Sequence, residues 1–141
     1  MSARRKGRKR ALDILFAADV REQSVASVLE SEAVRALANP DQKASFAFAT
    51  ELVNGFLEAS ADIDELIGKV SADWPVNRMP AVDRSIIRLG AVELKTHPDT
   101  PTAVVISEAG ELASEYSTEE SRGFIQGVLG SVADRVRGSG S

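Results

Sequence analysis

Apolar residues recur at intervals of three and four positions through most of the chain, which is the spacing of one buried face of an α-helix. No segment shows the alternation of apolar and polar residues that is typical of a half-buried strand. The apolar positions form seven stripes, and each stripe predicts one helix. The stripes begin at Leu12, Val25, Phe46, Ile63, Val82, Val105 and Phe124.

Residues that favour the start of a helix lie between the stripes. Ser, Thr and Asn side chains accept hydrogen bonds from the N–H groups that a first helical turn leaves without partners. The predicted caps are Ser24, Asn39, Ser60 and either Ser117 or Thr118. Pro40 suits the first helical position after Asn39, because the N–H that proline lacks would have no helical partner there.

The stripe from Val82 to Leu94 is apolar on more than one face, since Ile86, Ile87 and Leu89 point in different directions around a helix. A helix that is apolar most of the way round is surrounded by other helices. Seven helices joined by short loops predict a single all-α, bundle-like domain over residues 1–137. The Gly-Ser tail at 138–141 is expected to be disordered.

The composition is that of an ordinary globular domain. The chain has 141 residues, of which 43% are hydrophobic and 27% are charged, so it can form a core of its own. It contains no cysteine, which excludes disulfides and cysteine-based metal sites. No apolar run approaches the roughly 18 residues of a membrane span, and Asp13 and Asp19 interrupt the apolar stretch that a signal peptide would need. We therefore expect a cytoplasmic protein without membrane attachment.

The charges are distributed unevenly. Six of the first ten residues are Lys or Arg, and none is acidic. The remaining 11 Lys and Arg face 21 Asp and Glu, so residues 11–141 carry a net charge of −10. On a helix Arg5, Arg8 and Lys9 share one face, where like charges repel unless an anion such as phosphate offsets them. A cationic start on an acidic body favours one confined site for a polyanion.

A second interpretation of the basic start remains open. The first residues of a chain are often solvated and frayed, and their charge then serves only solubility or an acidic protein partner. On that interpretation the protein is a helical protein–protein adaptor without a specific RNA role. Salt-sensitive binding to a short single-stranded RNA separates the two hypotheses.

The sequence lacks the common residue motifs of catalytic sites. There is no nucleophile elbow, no phosphate-cradling Gly-Lys-Ser/Thr loop and no Cys-His pair. The acidic groups Asp62, Asp64, Glu65, Glu119 and Glu120 lie near predicted helix starts. There the helix dipole stabilises carboxylates, so acid–base catalysis is not needed to explain them. The sequence therefore predicts a binding protein that is not an enzyme, with no catalytic residue, metal or cofactor.

Three segments of the sequence are informative when they are taken together, in their order along the chain. They are Ala3–Leu12, Pro80–Leu94 and Thr102–Val132, the last including the run Ser117–Gly130. Taken together, these segments resemble the NusB family of bacterial transcription antitermination factors. The resemblance implies an all-helical fold of two small bundles that share a central helix. It departs from the usual family pattern at Ser107, Gly123 and Gln126.

The resemblance also implies a function. Members of this family pair with NusE, a small-subunit ribosomal protein, and bind the single-stranded boxA element of nascent ribosomal RNA transcripts. The pair then acts in the transcription elongation complex and helps RNA polymerase to read through terminators. The family is not enzymatic, and its members differ between monomer and homodimer.

The resemblance assigns roles to particular residues. The residues implied in RNA binding are Arg4, Arg5, Lys6, Arg8, Lys9, Phe124 and Gln126. Asp83 and Arg84, at the start of the central helix, are implied in NusE binding. Phe124 shares its stripe with Val128, so a place in the core is the alternative to an RNA platform. Gly7 is a poor helix former, and the first turn is therefore expected to become ordered only on RNA.

Overall fold

The structure is a computed structural model, and it describes residues 2–138. Every regular element within these residues is helical, which confirms the predicted all-α class. The helices are α1 (Ala3–Arg21), α2 (Val25–Ala36), α3 (Lys43–Val70), α4 (Ala81–Thr96), α5 (Thr102–Tyr116) and α6 (Glu119–Arg137). Short 3-10 turns at Pro40–Gln42 and Val76–Arg78 precede α3 and α4. Residues 139–141 of the predicted tail lie outside the described residues.

The chain folds into two compact units, one ending at Glu58 and the other beginning at Ala59. The first unit holds α1, α2 and the first part of α3, and the second holds the rest. The boundary coincides with Ala59, whose φ of −138° and ψ of 28° interrupt the helical geometry inside α3. None of the helices within residues 2–138 is long and apolar enough to cross a membrane.

The third and fourth predicted helices are joined in α3 across the kink at Ala59. The sequence predicted a separate helix start capped by Ser60, and the backbone leaves helical geometry one position earlier, at Ala59. Neither Pro nor Gly lies between Leu57 and Ile63, so neither residue type causes the kink. Asn39 precedes the 3-10 turn, as predicted for a cap, yet its side chain makes no capping hydrogen bond.

Two other predicted caps are confirmed. The hydroxyl of Ser24 accepts a hydrogen bond from the backbone N–H of Ser27 at 3.1 Å and begins α2. Thr118, and not Ser117, begins α6, and its hydroxyl accepts from the N–H of Ser121 at 3.0 Å. Each bond satisfies one N–H group that the first helical turn leaves without a helical partner.

α1 begins at Ala3 and includes Gly7 within its helical turns. The hydroxyl of Ser2 accepts a hydrogen bond from the N–H of Arg5 and caps the helix. Gly7 itself is buried against α3. The missing side chain permits a close helix contact, which helix propensity does not include.

α4 is the most buried helix of the second unit. Ten of its sixteen residues are buried, and it packs against both α5 and α6. Gly90 permits this packing, since a Cβ at that position would lie 2.7 Å from Cδ1 of Leu129 on α6. Arg88 leaves the packed face and forms a two-pronged ion pair with Asp64, at 2.8 and 2.7 Å.

Several apolar residues of the predicted stripes are exposed instead of buried. They are Phe16, Val20, Leu37, Leu57 and Tyr116. Leu37 and Tyr116 lie at the ends of α2 and α5, where fewer neighbours can cover a side chain. The regular spacing therefore identified the helices correctly but overestimated how far each buried face extends.

The end of α6 is tied to the loop between α4 and α5 by one side chain. The Arg137 guanidinium donates to the carbonyl oxygens of Leu94, His97 and Thr100 at 2.7–3.0 Å and to the Thr102 hydroxyl at 3.1 Å. Its planar fork of N–H groups suits such a set of converging acceptors.

Candidate nucleic-acid interface

The basic cluster, defined here as Arg4, Arg5, Lys6, Arg8 and Lys9, lies on the first two turns of α1. Arg4, Arg5 and Lys6 are exposed, and Lys9 is half-buried. Arg8 differs from the others because only 7% of its surface is exposed. The cluster is therefore a folded, cationic helix end with one member built into the protein.

An aromatic ring on α3 lies beneath two members of this cluster. The Cζ atom of Arg4 is 4.9 Å from the centroid of the Phe48 ring, and that of Arg8 is 5.5 Å from it. Both distances are within the range of cation–π attraction. Sequence reasoning missed Phe48, because it lies outside the predicted apolar stripe and no local pattern connects residue 48 to residues 4 and 8.

A second cation–π contact follows along the same helices. Cζ of Arg10 lies 5.2 Å from the centroid of the Phe46 ring, and its Nη1 donates to Oε1 of Gln42 at 2.8 Å. Phe46 was predicted as a core residue, but it is only half-buried. Arg10 is thus held at the side of α3 by both a ring and an amide.

In the second unit, Phe124 is half-buried and faces Trp74. The two ring centroids are 4.8 Å apart and the rings are tilted by 49°. They line a cavity of about 530 Å³ together with Asp73, Thr118, Glu120 and Ser121. Phe124 is therefore neither a fully buried core residue nor an isolated surface ring. Trp74 lies far from Phe124 in the sequence, so no local pattern predicts this pairing.

Gln126 is engaged with α5. Its Nε2 donates to the carbonyl oxygen of Ile106 at 3.3 Å. The side chain packs against Gly110, where a Cβ would collide with it. Gln126 thus has a clear structural task between α5 and α6, and its predicted contact with RNA stays a prediction.

Asp83 occupies a position that the sequence did not suggest. It is fully buried, and its two carboxylate oxygens accept hydrogen bonds from the hydroxyls of Ser117 at 2.6 Å and Ser121 at 2.7 Å. A partner protein cannot touch this carboxylate in the described conformation, so the implied direct contact with NusE is corrected. The side chain turns inward because two hydroxyls at the α5–α6 junction satisfy the charge.

Arg84, the other implied NusE residue, is half-buried. Its Nη1 donates to the carbonyl oxygens of Val76 at 3.2 Å and Met79 at 3.3 Å. These bonds hold the 3-10 turn that leads into α4. Within residues 2–138, no three His, Asp or Glu side chains are grouped so that they could hold a metal ion.

Comparisons with known proteins agree on one family. The sequence model of the NusB family matches residues 5–134. The chain is 50% identical over 133 residues to the transcription antitermination protein NusB of Clavibacter sepedonicus, a match that covers 94% of this chain and 97% of that relative.

Solved structures match the fold. NusB from T. maritima, at 31% identity, has a TM-score of 0.80 over 93% of this chain and 90% of that one. A crystal structure of the antitermination factors NusB and NusE in complex with double-stranded RNA has a TM-score of 0.81. That match is 25% identical and covers 96% of this chain and 98% of the other.

Proposed function

Because the chain belongs to the NusB family of transcription antitermination proteins, we propose that it binds RNA together with NusE, a small-subunit ribosomal protein. The RNA is the boxA element of nascent ribosomal RNA transcripts. The pair then joins the transcription elongation complex and favours reading through terminators. The relative solved with NusE and double-stranded RNA supports both partners.

The basic cluster is the observation that carries this proposal. Its five cations lie on a capped, ordered helix end, and the rest of the chain is acidic. RNA phosphates are attracted to the cluster and repelled elsewhere, which confines the RNA to one site. Contacts to phosphates position the strand, whereas contacts to bases supply the sequence preference.

Phe124 is the proposed base contact of the second unit. Its half-exposed ring beside Trp74 offers an apolar face on which an unpaired base can stack. The hydroxyls and carboxylates that line the adjoining cavity provide hydrogen-bonding groups for base edges. Gln126 remains a proposed RNA contact through the part of its amide that does not bond to Ile106.

The start of α4 is the proposed NusE contact. Arg84 is the accessible member of the implied pair. The buried Asp83 holds the start of α4 in place through its hydrogen bonds with Ser117 and Ser121. Charged groups at such a surface chiefly determine partner choice and association rate.

The test is a fluorescence-anisotropy titration of a labelled single-stranded boxA RNA, with and without NusE, at several salt concentrations. We expect NusE to raise the affinity. The logarithm of affinity should fall against the logarithm of salt by about 0.7 for each phosphate neutralised. A scrambled strand and a double-stranded form of the same sequence serve as controls for base preference and strandedness.

Two outcomes would contradict the proposal. If no salt-sensitive RNA binding is seen with NusE present, the protein–protein adaptor hypothesis takes its place. If boxA and scrambled RNA bind equally, the boxA assignment is wrong. Sedimentation velocity at the titration concentrations shows whether the RNA-binding species is the monomer or a homodimer.

A further inference from the structure

Phe48 on α3 lies against the part of α1 that carries Arg4, Gly7 and Arg8. The Phe48 ring is buried, with 6% of its surface exposed, and it is fixed on α3 within the first unit. The guanidinium carbons of Arg4 and Arg8, one helical turn apart, lie 4.9 and 5.5 Å from its centroid. One buried ring therefore contacts two long cationic side chains.

Gly7 brings the two helices close enough for this contact. A Cβ on residue 7 would lie 2.8 Å from the carbonyl oxygen of Ser45 and 3.0 Å from both Cβ and Cδ2 of Phe48. The Ser45 oxygen is a backbone atom and cannot rotate away. Any larger residue would consequently move α1 away from α3, and would move Arg4 and Arg8 with it.

The ring also offsets an electrostatic cost. Arginines four positions apart on a helix repel each other. The negative face of an aromatic ring attracts both cations, and this attraction depends on the guanidinium charge and does not consume an N–H donor. Side chains that are already held near their bound positions lose less conformational entropy when phosphate binds.

We propose that Phe48 is a positioning residue for RNA binding, which holds Arg4 and Arg8 in place for phosphate contacts and depends on Gly7 for its approach. The inference rests on the proposed function, since it assigns a role at the same RNA site. It adds a residue that itself need not touch RNA.

The first experiment compares Phe48→Leu, Phe48→Tyr and Phe46→Leu by RNA anisotropy across a salt series, with NusE present. All titrations are made at a temperature where circular dichroism shows each variant folded. Phe48→Leu keeps an apolar side chain but removes the ring. It should weaken RNA binding about tenfold. The slope of the logarithm of affinity against the logarithm of salt should become less steep by about 0.7 to 1.4. Phe48→Tyr should restore binding to within about threefold, because it keeps the ring.

Phe46→Leu is the matched control. It removes the neighbouring α3 ring, which contacts Arg10. Its affinity should fall less than that of Phe48→Leu. If Phe48→Leu only lowers the melting temperature and binds RNA with unchanged affinity and salt dependence, Phe48 is merely structural and the inference is overturned.

The second experiment uses Gly7→Ala with Gly68→Ala as its control. A Cβ at Gly68 meets no atom within 4 Å, so alanine there should stabilise α3 without changing RNA affinity. At Gly7 alanine is also the better helix former, but it should weaken RNA binding because α1 must move. Unchanged or tighter binding by Gly7→Ala would overturn the inference. A wild-type protein that does not bind RNA would instead contradict the proposed function.

Discussion

The Asp83 carboxylate accepts a hydrogen bond from the Ser117 hydroxyl across 34 positions of the chain, with 2.6 Å between the two oxygens. The bond joins the start of α4 to the residue that follows α5, and Ser121 adds a second bond from the first turn of α6. Since Asp83 is fully buried, these hydroxyls supply the hydrogen bonds that water cannot.

The Asp83→Asn variant should be less stable than the wild type by about 1–3 kcal/mol, because the new amide group offers a donor where a serine hydroxyl needs an acceptor. Urea denaturation measures the difference. Asp62→Asn, at an exposed position of α3, is the control and should stay within about 0.5 kcal/mol. Equal stability of the Asp83 and Asp62 variants would mean that the buried hydrogen bonds contribute nothing measurable.

Phe124→Ala should weaken RNA binding by about 1–3 kcal/mol, the range for loss of one base-stacking ring. Its effect on stability should be below the roughly 3–5 kcal/mol that is typical of a fully buried Phe, since Phe124 is only half-buried. Thermal melts and RNA titrations of the same samples measure both quantities. Phe56→Ala, which removes a buried ring of the first unit, should show the opposite pattern. A variant at Phe124 that loses stability alone would place this ring in the core.

The double variant Arg5→Ala and Lys6→Ala tests the exposed part of the basic cluster. Removing two phosphate contacts should make the slope of the logarithm of RNA affinity against the logarithm of salt less steep by about 1.4. Binding to all RNA sequences should weaken alike. α1 should remain helical, because alanine is the strongest helix former. Arg8 is left in place, since its burial against Phe48 would mix structural and electrostatic effects.

The matched control for that variant is the pair Lys69→Ala and Lys95→Ala, which removes the same charge from exposed positions outside the cluster. If both double variants change the salt dependence equally, RNA affinity depends only on the net charge of the protein, and no confined site exists on α1.

Gly90→Ala should destabilise the protein by about 1–3 kcal/mol through overpacking. The new methyl group would lie 2.7 Å from Cδ1 and 2.8 Å from Cδ2 of Leu129, which is itself fully buried. Gly130→Ala on α6 is the control, because a Cβ there meets nothing within 4 Å and should stabilise the helix by up to about 1 kcal/mol. Differential scanning calorimetry compares the two, and a rise in melting temperature for both would contradict the close packing of α4 on α6.

The sequence by itself determined the helices and the charge of the proposed RNA site. The spacing of apolar residues is a local property of the chain, so it predicted the all-α class, and the polar residues between the stripes predicted caps at Ser24 and at Ser117 or Thr118. The basic cluster was equally visible, because six cations in ten residues need no tertiary information.

Only the tertiary structure decided which side chains these helices bring together. The sequence predicted a helix start at Ser60, and the structure joins the two helical segments across a kink at Ala59. The family resemblance implied Asp83 in NusE binding, and the fold places its carboxylate against the hydroxyls of Ser117 and Ser121. Phe48 reaches Arg4 from a distant part of the sequence. Such contacts depend on how helices pack, and packing is set by the shapes and volumes of residues distant in the chain, which local periodicity does not record.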